Sequence, residues 1–167
     1  MSSSIRTIAC ACSTSVVFAV TSTGFEAKLW AAPSSADKAT AQGLYDEGLR
    51  HLKSADFANA CPKFEESQRI DPQLMTQYQL AKCWEKAGKT ASAWAAWLEL
   101  AEAVGDARTK EQERLQQYAR KQVASLEPSL SRLSLKVSAD VPGLRVTRDG
   151  TEVGRPQWGV LVPVDPG

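Results

Sequence analysis

The chain has little of what catalysis and metal binding usually require. Its 167 residues include one histidine, His51, with no recognisable nucleophile arrangement around it. Cysteine and histidine residues do not occur at the spacing of metal ligands, and no glycine-rich segment matches a phosphate-binding loop. The neighbouring carboxylates Glu65 with Glu66, and Glu111 with Glu113, are typical of solvated helix faces. We therefore expect no catalytic residues, no metal, no cofactor and no small-molecule substrate.

An excess of charge of either sign is also missing. The 20 Lys and Arg residues nearly balance the 19 Asp and Glu residues, and the two signs are interspersed along the chain. A protein that binds nucleic acid or an anionic membrane needs a concentrated basic surface. We expect neither partner.

A repeated pattern is present instead, in residues 44 to 97. Small and large residues recur 33 positions apart, pairing Gly48 with Ala81, Ala60 with Ala93, and Phe64 with Trp97. Small residues let helix axes approach, and large ones fill the space beside them. A helix–turn–helix unit that cannot bury its apolar face alone stacks on a copy of itself. One helical domain with a small appendage is expected.

Cap and turn signals predict where five helices begin and end. The first helix is expected over 39 to 54, and Asp56 is expected to cap the second. Asp71 and Pro72 should end the second helix and open the third, which Gly88 ends. Thr90 should cap the fourth helix, and Gly105 with Asp106 should precede a fifth that ends near Leu126. The fifth helix should bury one face on the fourth and expose the other as a terminal cap. Its buried face is expected to carry Leu115, Tyr118, Ala119, Val123 and Leu126.

After Pro128 the apolar pattern changes to alternation. We predict a linker over 128 to 132 and strands over 133 to 139, 144 to 148 and 151 to 153, with a possible fourth over 160 to 164. Asp149 and Gly150 form a two-residue hairpin turn signal. Such short strands leave unpaired edges, so this region is expected to be less stable than the helices, or to gain order by pairing with another chain.

Residues 1 to 36 have the pattern of a secretory signal peptide. The first choice of cleavage site is after Ala36, where Ser34 and Ala36 supply two small side chains, and the second choice is after Ala31. The alternative is an uncleaved anchor, because residues 7 to 25 approach spanning length. A membrane contact is expected only in that case.

Two family resemblances follow from these motifs. The segment LYDEGLRHLKSADFANACPKFEESQRIDP and its second copy YQLAKCWEKAGKTASAWAAWLELA resemble tetratricopeptide repeats, and LRVTRDGTEVG with PVDPG resembles PEGA-like β domains. The combination of ANACPKFEESQRIDP, CWEKAGKTASAWAAW, LEPSLSRLSLKV and WGVLVPVDPG is similar to a group of secreted bacterial tetratricopeptide proteins, and the resemblance covers residues 41 to 167. It implies a mainly α fold, with a solenoid of two helical hairpins and a capping helix over 37 to 127, then an incomplete antiparallel β module over 133 to 167. The alternative is an ordinary pair of antiparallel helical hairpins.

The tetratricopeptide resemblance also predicts the positions of the cysteines and of a binding surface. It makes the helices carrying Cys61 and Cys83 neighbours, which in an exported protein implies a disulfide, with two buried thiols as the alternative. The family's concave surface would present Tyr45, Leu49, Leu52, Tyr78, Lys82 and Glu85 to a peptide. The family's Lys and Asn clamp for a terminal carboxylate is absent. The alternative for Tyr45 and Tyr78 is core packing.

These inferences lead to an expected function. The chain is interpreted as a periplasmic or secreted, non-enzymatic scaffold or adaptor of the bacterial cell envelope that binds a protein or peptide. One alternative is a structural envelope protein that contacts partners through the β module. Another is a truncated gene product without an independent role.

Overall fold

The computed structural model describes residues 32–105, 109–138 and 142–166. Most of the predicted signal segment, and Asp106 in the fourth turn, lie outside this description. The helices are α1 (Ser35–Lys53), α2 (Phe57–Ile70), α3 (Leu74–Lys86), α4 (Thr90–Ala103) and α5 (Lys110–Leu126), and each packs on the next. A mainly helical chain followed by a small antiparallel β region is therefore confirmed. None of the described helices combines the length and hydropathy that a bilayer-spanning segment needs.

The 33-residue repetition is present in the backbone. Helices α2 and α4 both have 14 residues, and their first and last residues lie 33 positions apart. The turns before them match, with positive φ at Ala55 (56°) and Gly88 (72°). The next residues, Asp56 and Lys89, also share nearly identical backbone angles. The two helical hairpins therefore turn in the same way.

The core consists of two clusters that follow the same repetition. The first joins α1, α2 and α3 around Phe64, and the second joins α3, α4 and α5 around Trp97. Both aromatic side chains are fully buried. Gly48 lets α1 approach Phe64 closely, because a Cβ atom at this position would lie 2.8 Å from Cε1 of the phenylalanine ring. The small residues therefore have the spacing role that the sequence predicts.

Several predicted helix starts are wrong. Helix α1 begins at Ser35 rather than residue 39, because Ser34 and Asp37 form a reciprocal capping box. Asp71 does end α2, but α3 starts only at Leu74, after a Gln73 whose side chain makes no capping bond. Two predictions are confirmed: Asp56 caps α2, and Gly88 follows the end of α3 with a positive φ.

Helix α4 has no cap from its own sequence. The predicted cap Thr90 is instead the first helical residue, and the N-cap position holds Lys89, which makes no side-chain capping bond. A lysine side chain has only donors, so it cannot accept a hydrogen bond from the free amides of a first turn.

Helix α5 completes the helical region. Thr109 caps it in a second capping box, with Gln112 as the reciprocal partner. Ala119 is fully buried against the second core cluster. Tyr118, which the sequence predicts on the buried face, is 41% exposed and lies at the rim of that cluster. Gly105, as predicted, follows the end of α4 and has a positive φ of 53°.

The β region contains two separate two-stranded sheets. Strand β1 (Ser131–Leu133) pairs antiparallel with β4 (Val162–Val164), and β2 (Thr147–Arg148) pairs antiparallel with β3 (Thr151–Glu152). The predicted turn is confirmed, because Asp149 and Gly150 both have positive φ between β2 and β3.

The first predicted strand, over 133 to 139, is wrong in position. Ladder pairing stops at Leu133 because its partner strand β4 has only three residues. Strand β1 therefore starts inside the predicted linker, which also contains the buried Leu130. Alternation of side chains predicted a strand but could not show which segment would supply its partner.

Candidate interaction surface

The three tyrosines of the chain lie one on each odd-numbered helix. Tyr45 on α1 meets the ring of Phe64 edge-on at 5.6 Å between centroids, and Tyr78 on α3 meets Trp97 edge-on at 5.5 Å. Tyr118 on α5 meets Trp97 at 5.5 Å and Tyr78 at 6.1 Å. We call these three side chains the tyrosine surface. Within the described residues, none of their hydroxyl groups has a hydrogen-bond partner.

The predicted peptide-binding residues of α1 lie at the boundary between core and solvent. Tyr45, Leu49 and Leu52 are half-buried and pack against the first core cluster. Tyr45 and Tyr78 therefore have the packing role given above as the alternative, and both also keep part of their surface accessible. An aromatic ring held by a buried aromatic neighbour loses little side-chain entropy when a partner covers it.

The two predicted charged residues of α3 have different contacts. The ammonium group of Lys82 lies 5.2 Å from the centroid of the Tyr78 ring, in the range of a cation–π contact. The carboxylate of Glu85 accepts a hydrogen bond of 3.1 Å from the indole N–H of Trp97. Glu85 therefore serves the core of its own repeat, while Lys82 remains beside the tyrosine surface.

A groove extends the tyrosine surface between α1 and the start of α3. Its volume is about 300 Å³, and its lining includes Tyr45, Lys38, Gln42 and Met75. Met75 is 56% exposed and lies three residues before Tyr78, so both face the same side of α3. A mixed apolar and polar groove of this size fits side chains of a peptide. Met75 was not predicted from the sequence, although its three-residue spacing from Tyr78 was a usable signal.

Cys61 and Cys83 connect the two repeats. Their Cα atoms are 5.5 Å apart and their Sγ atoms 2.08 Å apart, in a site where both residues are fully buried. The Cα separation lies in the range that a disulfide requires. The pair lies between α2 and α3, so a bond here would hold the first repeat against the second.

A second site lies where the end of β4 meets the start of α4. Asp165 accepts hydrogen bonds from the backbone N–H groups of Ala91 (2.8 Å) and Ser92 (3.0 Å), and from the Ser92 hydroxyl (2.6 Å). It thus supplies the acceptor that Lys89 cannot. The role of Asp165 was not predicted from the sequence. The available signal was the lysine at the position that corresponds to Asp56.

An open cleft of about 890 Å³ adjoins this contact. It lies between the first half of α4, the β1–β4 sheet and the β2–β3 turn, and its lining includes Trp94, Arg132 and Arg148. The indole N–H of Trp94 is buried and has no hydrogen-bond partner among the residues that the structure describes. The β region therefore contacts the helical region through Asp165 and leaves a gap beside it.

The electrostatics are those of helix surfaces. A hydrogen bond from Asn59, supported by one from His51, lowers the pKa of Asp56. The hydrogen bond and positive charge of Lys63 lower the pKa of Glu47. In the ranges that the structure describes, no three His, Cys, Asp or Glu side chains gather as metal ligands would. These carboxylates are held ionised and oriented by their partners.

Comparison of the chain with known protein families, with characterised proteins and with solved structures finds no match. The tetratricopeptide and PEGA-like resemblances therefore rest on the motifs of the sequence.

Proposed function

We propose that the chain is an exported, non-enzymatic scaffold or adaptor of the bacterial cell envelope, and that it binds a peptide segment of a protein partner on the tyrosine surface. The observation that carries this proposal is the arrangement of Tyr45, Tyr78 and Tyr118. Each ring is held in place by a buried aromatic side chain and keeps part of its surface accessible. Tyrosines of this kind are enriched among residues that dominate binding energy.

The surroundings of the tyrosines support a peptide as the ligand. The exposed Met75 supplies a flexible apolar contact, and Lys82 adds a positive charge beside Tyr78. Affinity would come from aromatic burial, and the lysine would favour a peptide with an acidic residue near the site. The tetratricopeptide resemblance supports the same use of odd-numbered helices.

Export is the second part of the proposal. It is supported by the signal-like residues 1 to 36 and by a cysteine pair at disulfide distance, since such bonds persist in oxidising compartments. A periplasmic or secreted location would bring the scaffold together with envelope proteins.

A structural envelope role through the β module is the second candidate. Among the described residues, each of β1 to β4 is paired along one edge, and both strands of the β2–β3 hairpin are exposed. Unpaired edges are places where a strand from another chain can add.

Site-specific photo-crosslinking in the native host separates the two candidates. A photoreactive amino acid at Met75 tests the tyrosine surface, one at Thr151 tests the hairpin edge, and one at the exposed Glu65 of α2 is the matched control. We expect a protein partner to be crosslinked from Met75 and not from Glu65. Crosslinking from Thr151 alone would favour the β module instead.

A binding variant then tests the tyrosines themselves. Tyr118→Ala removes a partly exposed ring and should weaken binding of the crosslinked partner peptide about tenfold or more, while the helical circular dichroism remains. Tyr118→Phe keeps the packing and loses only the hydroxyl, so it reports a hydrogen bond between this hydroxyl and the peptide. Unchanged affinity in both variants would remove Tyr118 from the proposed site.

A further inference from the structure

The cleft between α4 and the β region is lined by apolar side chains from both sides. The largest of them are Trp94 on α4, Leu133 on β1 and Val164 on β4. All three are half-buried, so each still offers part of its surface to a ligand. The cleft volume of about 890 Å³ lies in the range of sites that enclose a ligand. An apolar lining that contains a tryptophan is typical of the centre of a protein interface.

Cationic side chains surround this apolar lining. Lys89, Arg132 and Arg148 are exposed and border the cleft. Arg132 lies 3.5 Å from a glutamate, whereas neither Lys89 nor Arg148 has an ion-pair partner among the described residues. The carboxylate of Asp165 also borders the cleft, but three donors on α4 already compensate its charge. The cleft therefore favours a ligand that carries negative charge.

The lining favours a peptide over a polyanion. Asp149 borders the cleft beside Arg148, and Glu127 pairs with Arg132, so positive and negative groups occur together. A nucleic acid or an anionic membrane requires a concentrated basic surface, which this mixture does not provide. A peptide with acidic and apolar side chains matches both the free cations and the apolar surface.

Trp94 has a donor that such a peptide would satisfy. Its indole ring lines the cleft, and its N–H group is buried without a hydrogen-bond partner in the part of the chain that the structure describes. Unpaired buried donors are rare in native proteins because they are costly. The indole N–H groups of Trp97 and Trp158 do have acceptors, at 3.1 and 3.2 Å. Since no such bond holds the Trp94 ring, the ring can turn its N–H towards an acceptor that a ligand brings.

We propose that this cleft is a second binding site, which takes an acidic, partly apolar peptide segment of a protein partner. Carboxylates of the peptide pair with Lys89 and Arg148, and its apolar side chains cover Trp94. The cleft shares no lining residue with the tyrosine surface or its groove, so the two sites can hold two different segments. Because α4 and the β region form the cleft together, a bound peptide also holds the β region against the helices.

Three matched fluorescent peptides test the charge requirement on the full chain. Each peptide alternates leucine with one polar residue, which is glutamate, glutamine or lysine. By anisotropy we expect the glutamate peptide to bind about tenfold more tightly than the other two, and less tightly as salt is added. Failure of the glutamate peptide to bind, or equal binding of the glutamate and glutamine peptides, would overturn the proposal.

Variants show where the glutamate peptide binds. Arg148→Glu should weaken binding about tenfold, whereas Arg148→Lys should keep most of it. The matched control is Lys121→Glu on the exposed side of α5, which should have no effect. Tyr118→Ala should also leave binding unchanged, because Tyr118 belongs to the other site. A loss in Tyr118→Ala that Arg148→Glu does not reproduce would assign the peptide to the tyrosine surface and overturn the proposal for the cleft.

Anionic lipid is the competing ligand. Vesicles of phosphatidylglycerol are titrated with the same variants, and we expect no binding that depends on Arg148. Vesicle binding that Arg148→Glu removes, together with weak binding of the glutamate peptide, would overturn the proposal in favour of a membrane contact.

The Trp94 indole N–H gives the direct readout. Its proton–nitrogen NMR signal is identified by its loss in Trp94→Phe, and saturation with the glutamate peptide should shift it. The signals of Trp97 and Trp158 are internal controls, because their N–H groups already have acceptors. A Trp94 signal that stays unchanged at saturation would overturn the assignment of the peptide to this cleft.

Discussion

The two helical hairpins share one backbone turn but stabilise it differently. In both, a residue with positive φ precedes the N-cap, and the N-cap amide donates a 3.0 Å hydrogen bond to a carbonyl five residues earlier, His51 or Trp84. In the first hairpin Asp56 caps the following helix from within the turn. In the second, the corresponding residue is Lys89 and the carboxylate comes from Asp165.

The difference shows how a repeat becomes dependent on the rest of its chain. The first hairpin has its cap in local sequence, so its second helix can begin before any distant contact forms. The second hairpin lacks that local cap, and the first turn of α4 is completed only when the end of β4 arrives. The β region is therefore tied to the helices through the one hairpin that needs it.

The largest expected effect on this comparison comes from separating the two hairpins. Reduction of a Cys61–Cys83 disulfide, which spans 22 residues, should lower the free energy of unfolding by about 3 kcal/mol. Urea denaturation with and without reductant measures it, and Cys61→Ala with Cys83→Ala is the control in which reductant has no effect. Two alkylatable thiols in natively exported protein would show that the bond does not form.

The second prediction exchanges the turn residues. Gly88→Ala should lower the free energy of unfolding by about 1–2 kcal/mol, because alanine is strained at positive φ. A Cβ atom at this position would meet no atom within 4 Å among the described residues, so backbone strain is the whole expected effect. Ala55→Gly should do the reverse and stabilise the first turn by about 0.5–1 kcal/mol. Chemical denaturation measures both. Changes of the same sign in the two variants would mean that the turns are not equivalent in solution.

The sequence predicted the parts of this fold that local chemistry determines. The 33-residue spacing indicated the helices. Asp56 was predicted as the cap of α2, Gly88 as the end of α3, and Asp149 with Gly150 as the hairpin turn. These features need only neighbours within a few residues. The cap on α4 could not be predicted in this way, because no rule of local spacing connects Asp165 with Ser92.

The interaction surface was predicted in part for the same reason. Tyr45 and Tyr78 followed from the repeat, and the structure places both at the edge of the core. The carboxylate of Glu85 accepts a hydrogen bond from Trp97. Tyr118 joins the surface because α5 packs on α4 and brings the Tyr118 ring against Trp97 and Tyr78. Which residues surround a repeated position depends on the packing of helices, which the spacing alone does not give.

The third prediction uses pH to isolate the first turn. The hydrogen bond from Asn59 lowers the pKa of Asp56, so the folded state binds the Asp56 proton less readily than the unfolded state does. This contribution is complete above the ordinary aspartate pKa of about 3.9 and is lost as pH falls below it. Asp56→Asn keeps a capping oxygen and should flatten the fall of Tm as the pH drops below about 4. Asn59→Ala should flatten it in part, by raising the pKa of Asp56.

A titration of Asp56 followed by NMR gives the direct measurement. The midpoint should lie below that of an unstructured aspartate, and Asn59→Ala should move it upward. A midpoint at the ordinary value would remove the pH dependence from the first turn, and the two hairpins would then differ only in the source of the cap.

The smallest effect concerns the start of each hairpin. Helix α1 begins with the Ser34–Asp37 capping box, whereas α3 begins with Gln73 and has no side-chain cap. If export removes residues 1 to 36, Ser34 is lost and α1 starts uncapped like α3. If cleavage follows Ala31, the capping box stays. Proteins beginning at Ala32 and at Asp37 should therefore differ in free energy of unfolding by about 1 kcal/mol at most, since a terminal turn frays at low cost.

Sequencing of the mature N-terminus from a periplasmic or secreted fraction decides between the two starts. Full-length protein recovered only from the cytosol would contradict export, and with it the compartment that a disulfide between Cys61 and Cys83 requires.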